Sequence, residues 1–191
     1  MALAYRLDTP ADKIAAALGA DRGKDVWQGG PIAPGDFAPV VLRGKGQSRI
    51  LIPRLWGVPP PPRGQHRVTT VRNCESPFWI GTLRHTEYRC LVPATAFRSA
   101  RTWFAVPGQP VFALAGIWRD SEVPSFAVLT TANDGFYPDH AVTTMPLVLR
   151  PADCHTWLCA DWQTAQMLVA PGRETVRAIS PSSCSPSSCR T

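Results

Sequence analysis

Near the start of the chain, Ala11, Ile14, Ala15 and Leu18 recur at helical spacing, which predicts a short helix over residues 10–18. Asp8 or Thr9 is placed to cap it and Gly19 to end it. Apolar runs at 40–42 and 50–52 flank a stretch holding Gly44, Gly46 and Gln47, so they predict a hairpin. The run GVPPPPRGQ predicts a loop, because consecutive prolines supply no backbone N–H for helix or ladder. Residues 76–83 fit a helix with Phe78 and Trp79 turned inward. Residues 89–93 read as a buried strand. The runs 103–106, 111–118 and 126–130 are β-branched, aromatic or otherwise apolar, and Gly, Pro and charged residues bound them. They predict consecutive strands of a mostly antiparallel sheet, and residues 147–149 add another. Two short helices follow at 151–157 and 161–168, and from about Gly172 the pattern is lost. Many short strands with a few helices make an α+β protein.

Composition narrows this. A chain of 191 residues, 45% hydrophobic and 18% charged, suits one globular domain with a core of its own. The expected domain is 1–171. The tail at 172–191, with its repeat SPSSCSPSSC, is expected to be disordered because it has little to bury. No run approaches the roughly 18 apolar residues of a membrane span, and no signal peptide is read at the start. A cytoplasmic protein without membrane contact is therefore expected, nucleoid-associated if it binds DNA. The net charge of +6 permits a polyanionic partner without requiring one.

The six cysteines include no Cys-x-x-Cys pair, so neither a structural zinc site nor any other metal or cofactor is expected. Cys74, Cys90, Cys154 and Cys159 read as reduced, packed thiols, and Cys184 and Cys189 lie in the tail. There is no phosphate-binding glycine loop and no Gly-x-Ser-x-Gly elbow.

The densest signal is VTTVRNCESPFWIGTLRHTEYRCLVPATAF, residues 68–97. It resembles the centre of the SOS-response-associated peptidase family, also called the abasic-site-processing family, whose members read N-x-R-N, S-P-F/H-W and Y-R-C-L-V-P. The start MALAYR is similar to the family's Met-Cys-x-x-Tyr-Arg opening. WQGGPIAPG resembles W-G-G-P-I-Y-P-G, and RLWGVPPPP resembles R-W-G-x-P-P-P-P. FALAGIW, SFAVLTTAN, PDH and MPLVL follow in family order. The likeness covers roughly residues 1–165. It implies a single compact domain around a strongly curved β-sheet or barrel.

The resemblance also implies a chemistry. In the family a cysteine becomes the first residue once the initiator methionine is removed. Its amine attacks the aldehyde of an opened abasic sugar and its thiol closes a thiazolidine, leaving a stable cross-link to single-stranded DNA. The same cysteine is credited with removing a short leader in some members. A Glu and a His move protons, and an Arg and an Asn hold phosphate and sugar.

Carried over residue by residue, that set is broken. The cysteine position is Ala2, the asparagine falls on Thr70, and the glutamate falls on Ser99, two residues beyond Phe97. The arginine is retained as Arg72. His140, in Pro138-Asp139-His140 ahead of Met145-Pro146, matches the histidine with a spacing one residue longer. Tyr5, Arg6 and Trp56 match as well. The resemblance therefore implies a member that binds single-stranded DNA through Arg6, Arg72, Trp56 and Tyr5 and has lost thiazolidine formation. Two alternatives stand beside it. The Ala2 α-amine, of ordinary pKa about 7.7–8.0, forms imines with aldehydes, which gives a slow abasic-site lyase. Or the chain keeps the fold alone.

Overall fold

The computed structural model describes residues 3–133, 143–172 and 174–180. The first strands are β1 (Ala4–Leu7), β2 (Gly30–Ile32), β3 (Phe37–Arg43), β4 (Arg49–Trp56), β5 (Thr70–Val71) and β6 (Arg89–Ala94). They are followed by β7 (Ala96–Ser99), β8 (Thr102–Ala105), β9 (Phe112–Arg119), β10 (Ser125–Ala132), β11 (Thr144–Pro146), β12 (Val148–Leu149) and β13 (Arg177–Ile179).

The larger sheet closes on itself. β3 pairs with β4 and β6, β6 with β9, and β9 with β10, all antiparallel. A parallel β10–β4 pair completes the ring. Closure removes the free edges that an open sheet exposes. Short strands extend the rim: β5 lies parallel to β10, β11 antiparallel to β10, and β12 antiparallel to β9. A second, wholly antiparallel sheet runs β13-β8-β7-β1-β2. The expected α+β class and curved, mostly antiparallel sheet are what the structure has.

The barrel interior explains the run of small and apolar residues in β6 and β9. Cys90, Leu91, Val92, Leu114, Ala115 and Ile117 are inaccessible to solvent. At Gly116 a Cβ would come within 2.6 Å of Val92 Cγ2 and 2.7 Å of the Cys90 sulfur, so only glycine fits between those strands.

Helix α1 (Ala11–Leu18) buries Ala11, Ile14, Ala15 and Leu18, the predicted stripe. Gly19 ends it in the left-handed region, at φ 59°, with its N–H on the last-turn carbonyls. Its start differs from the sequence reading. Pro10 is the cap residue, and Asp8 pairs with Arg6 instead. The helix expected over 76–83 shrinks to α2 (Ile80–Leu83). Before it, Ser76 organises a turn, its hydroxyl accepting from Phe78 N–H and its carbonyl from Trp79 N–H. The Phe78 carbonyl is taken by the Arg119 guanidinium. Trp79 is buried as expected, while Phe78 is half-buried under Arg119, which lies 4.0 Å from its ring centre. Helix α3 (Asp153–Cys159) seats Trp157 on the barrel, with its indole N–H donating to the Cys90 carbonyl at 3.0 Å. Helix α4 (Trp162–Ala165) is capped by Asp161, which accepts from Thr164 N–H at 2.8 Å.

The boundary expected at 171 is corrected. β13 forms a ladder on β8, and Val176 is buried to 7% exposure, so the folded unit runs through Ile179. Alternation did not reveal this segment because only three residues pair. Residues 181–191, with Cys184 and Cys189, lie outside the described residues.

Candidate functional site

A pocket of about 310 Å³ opens where the two sheets meet. β5 brings Thr70, with Thr69 just before it and Arg72 just after. The end of β7 brings Ser99, and the hairpin turn to β8 brings Ala100. β10 and β11 add Thr130, Thr144 and Pro146, and Leu3 forms a wall just ahead of β1. Three predicted site residues, Thr70, Arg72 and Ser99, thus share one cavity despite their distance in sequence.

The cavity is lined by hydroxyls and one guanidinium; no carboxylate or imidazole lines it among the described residues. Two of its hydroxyls are held in place. Ser99 Oγ donates to the Thr144 carbonyl at 2.7 Å, and Thr130 Oγ1 donates to the Val71 carbonyl at 3.3 Å. With their protons committed to backbone, these two oxygens keep acceptor lone pairs. Arg72 is exposed at the mouth, and among the described residues no carboxylate lies within ion-pair distance of its nitrogens. It presents up to five N–H donors to an incoming anion. Ala100 has φ 53°, a left-handed conformation that is strained for a residue with a Cβ and belongs to the tight two-residue turn from β7 to β8.

The remaining predicted residues fall elsewhere. Trp56 is fully buried and offers no ring face to a base. Its ring meets Tyr5 edge-on at 5.0 Å and stacks against Phe126 at 6.3 Å. Its indole N–H donates to the Thr69 carbonyl at 3.1 Å. Trp56 therefore fixes the backbone beside Thr70 from behind and is corrected from a stacking platform to a core anchor. Tyr5 is likewise fully buried, and burial pushes its hydroxyl well above the ordinary value, so it too is core and not a DNA contact. Arg6 alternates with Tyr5 along β1 and points to the other face, where its Nε lies 2.8 Å from Asp8 Oδ2; it does not line the pocket. Ala2 and His140 lie outside the described residues.

Sequence reasoning missed Thr130, Thr144 and Leu3. A threonine in a strand reads as a β-former first. The only signal was position: Thr144 directly precedes the Met145-Pro146 pair that anchors the likeness. Burial raises the Cys74 thiol to about 11 and carries Cys90 higher still. No cluster of three or more His, Cys, Asp or Glu suited to a metal converges among the described residues, and no described helix is long and apolar enough to cross a membrane.

A closed barrel and a second antiparallel sheet thus meet at a polar cavity that Leu3, just ahead of β1, helps to wall. The chain belongs to the SOS response associated peptidase (SRAP) family, whose model matches residues 1–183. Solved structures share the fold. A Bordetella bronchiseptica protein superposes with a TM-score of 0.74 at 16% identity, covering 94% of this chain and all of its own. A Bacteroides thetaiotaomicron protein gives 0.72 at 18% identity, covering 97% of this chain and 96% of its own. A phage-related protein, also from Bordetella bronchiseptica, gives 0.68 at 16%, covering 93% of this chain and 94% of its own. No curated protein matches the chain by sequence.

Proposed function

We propose that this protein binds single-stranded DNA at the Thr70–Arg72–Ser99 pocket and does not form the thiazolidine cross-link of its relatives. The observation that carries this reading is the convergence of the three positions on one cavity beside Leu3, the residue after Ala2. Arg72 takes a backbone phosphate at the mouth. The hydroxyls receive the sugar, whose oxygen-rich edge suits short polar side chains. A methyl group at residue 2 cannot close a five-membered ring, and Ser99 has no carboxyl to carry the ring-closing proton. Positioned acids and bases typically contribute about 10²–10⁴-fold, so their loss removes most of the rate even where binding persists.

Binding and cross-linking are measured separately. On single-stranded DNA carrying one abasic site, no adduct is expected to survive denaturing electrophoresis. Salt-dependent binding of the same strand is expected, with a slope of about −0.7 per phosphate contact. Arg72→Ala should make that slope shallower by roughly one contact. A folded Arg72→Ala protein with the parental affinity and slope would remove the pocket from the account.

The position of Leu3 also favours a second reading. With Met1 removed, the Ala2 amine directly precedes a pocket wall, and a neutral amine condenses with the aldehyde of an opened abasic sugar to give an imine and water. Borohydride then reduces the imine to a stable amine. Trapping that depends on borohydride and disappears on blocking the terminal amine supports this slow lyase; no trapping leaves the binding reading alone.

A further inference from the structure

At the end of β3 and β4 remote from the pocket, the chain gathers cations that make no ion pair among the described residues. Arg43 and Arg49 are direct cross-strand partners, so two guanidinium side chains leave the same face side by side. Like charges placed this way destabilise a sheet. Lys45 projects from the connecting turn, exposed. The segment after α1 lies along the start of β4, with Asp21 N–H on the Arg49 carbonyl at 2.8 Å, and adds exposed Arg22 and Lys24.

Among the described residues, none of the five cations makes an ion pair within 4.0 Å. Arg43 donates to the Thr86 hydroxyl and Arg49 to the Leu18 carbonyl. The two carboxylates of the segment are already engaged: Asp21 accepts from Gly23 N–H and Asp25 from Trp27 N–H, each at 2.8 Å. Glu87, next to Thr86, has its carboxylate 3.7 Å from the His85 imidazole, an ion pair only when that imidazole is protonated.

We propose that this hairpin tip is a second polyanion contact that holds the backbone of a nucleic acid strand whose other part occupies the pocket. This rests on the single-strand reading of the pocket. Three features favour nucleic acid over an acidic protein. Three of the five cations are arginines, whose planar forks match phosphate. Between Arg43 and Arg49 the turn contributes Gly44, Gly46 and Ser48 and no large apolar anchor of the kind that centres a protein interface; the exposed apolar residues of the wider segment are Val26, two positions beyond Lys24, and Phe37, at the opposite end of β3. And β4 itself joins the two sites: Arg49 starts it, and Trp56 ends it on the Thr69 carbonyl at the pocket. Seven strand steps at about 3.3 Å put the tip roughly 23 Å from the pocket. At about 3.4 Å per stacked nucleotide, that distance spans roughly seven nucleotides.

The test compares oligothymidylates of about four and about twenty nucleotides. Only the longer reaches both contacts, and it is expected to bind at least roughly tenfold tighter with a steeper salt slope. Arg43→Glu with Lys45→Glu should abolish that advantage and reduce the long-strand slope by about 1.4, leaving the short strand unaffected. Arg22→Glu with Lys24→Glu, on a different segment, should act in the same direction and guards against a hairpin that misfolds. If both folded pairs keep the parental slope on the long strand, the tip proposal is overturned while the pocket reading stands. A parent that binds neither length overturns the pocket reading and the tip proposal with it. Polyglutamate of matched charge displacing the long strand as well as DNA does would instead assign the tip to an acidic protein segment.

Discussion

At the scale of single residues, the barrel constrains most where it is tightest. Gly116→Ala would drive a methyl group into Val92 and Cys90, each under 3 Å from where it must sit. Neither neighbour has room to retreat, since both are fully buried. Overpacking of this kind costs about 1–3 kcal/mol. Thermal denaturation should show the midpoint falling by roughly 2–4 °C for each kcal/mol lost. An unchanged midpoint would mean that β6 and β9 part more easily than their packing implies. The buried thiols supply a pH dependence. Cys74 and Cys154 are both raised to about 11 by burial, because the folded state resists the thiolate. The unfolded chain ionises near the ordinary value of about 8.5. Their contribution is therefore complete below about pH 8.5 and is lost as pH rises toward the folded values. Denaturant midpoints measured across that window should decline, and a Cys74→Ala, Cys154→Ala protein should decline less.

At the scale of elements, the long apolar runs were legible and the short polar-flanked ones were not. β6, β9 and β10 sit within the barrel wall and bury nearly every side chain, so their sequences are continuous apolar blocks. α1 was legible because one helical face carries all its burial. β2, β5 and β13 have two or three residues each, and pairing alone defines them. The candidate site divides in the same way. Thr70, Arg72 and Ser99, which line one cavity, are legible as candidates because they flank motifs with strong order in sequence. Trp56 was misassigned because a tryptophan beside glycine and proline reads alike whether its ring faces a base or Phe126; only burial distinguishes the two. β13 yields a test. Cutting the chain after residue 171 removes the β13–β8 ladder and Val176. A buried valine is worth about 1.5–3 kcal/mol. The midpoint should fall by roughly 5 °C or more at about 2–4 °C per kcal/mol. A truncated protein that melts with the parent would show that β13 adds nothing to stability.

At the scale of the whole molecule, the scaffold and the reacting groups are separable, and that separation can be tested directly. Trp56, Tyr5 and Phe126 hold the pocket from behind, and none of them is among the reacting positions of the proposed reading, Ala2 and Ser99. If only the reacting groups have changed, restoring them should restore the reaction. Ala2→Cys supplies amine and thiol on one residue, and Ser99→Glu places a carboxyl on the pocket wall. Thr70→Asn returns an amide that both donates and accepts, which a hydroxyl does not reproduce in one plane. Ser99 is nearly buried and its hydroxyl bonds the Thr144 carbonyl, so the glutamate must give up that bond and swing into the 310 Å³ cavity. The lost hydrogen bond costs about 1 kcal/mol, small beside the stability of a domain of this size. The triple variant is therefore expected to fold and to leave a heat-stable adduct on abasic single-stranded DNA. The Ser99→Glu, Thr70→Asn double variant, which has no thiol, should leave none. Adducts from the triple variant alone would locate the difference from the family in three side chains. A folded triple variant that binds the DNA yet leaves no adduct would place it in the geometry of the pocket instead, and the proposed loss of cross-linking could then no longer be assigned to Ala2 and Ser99.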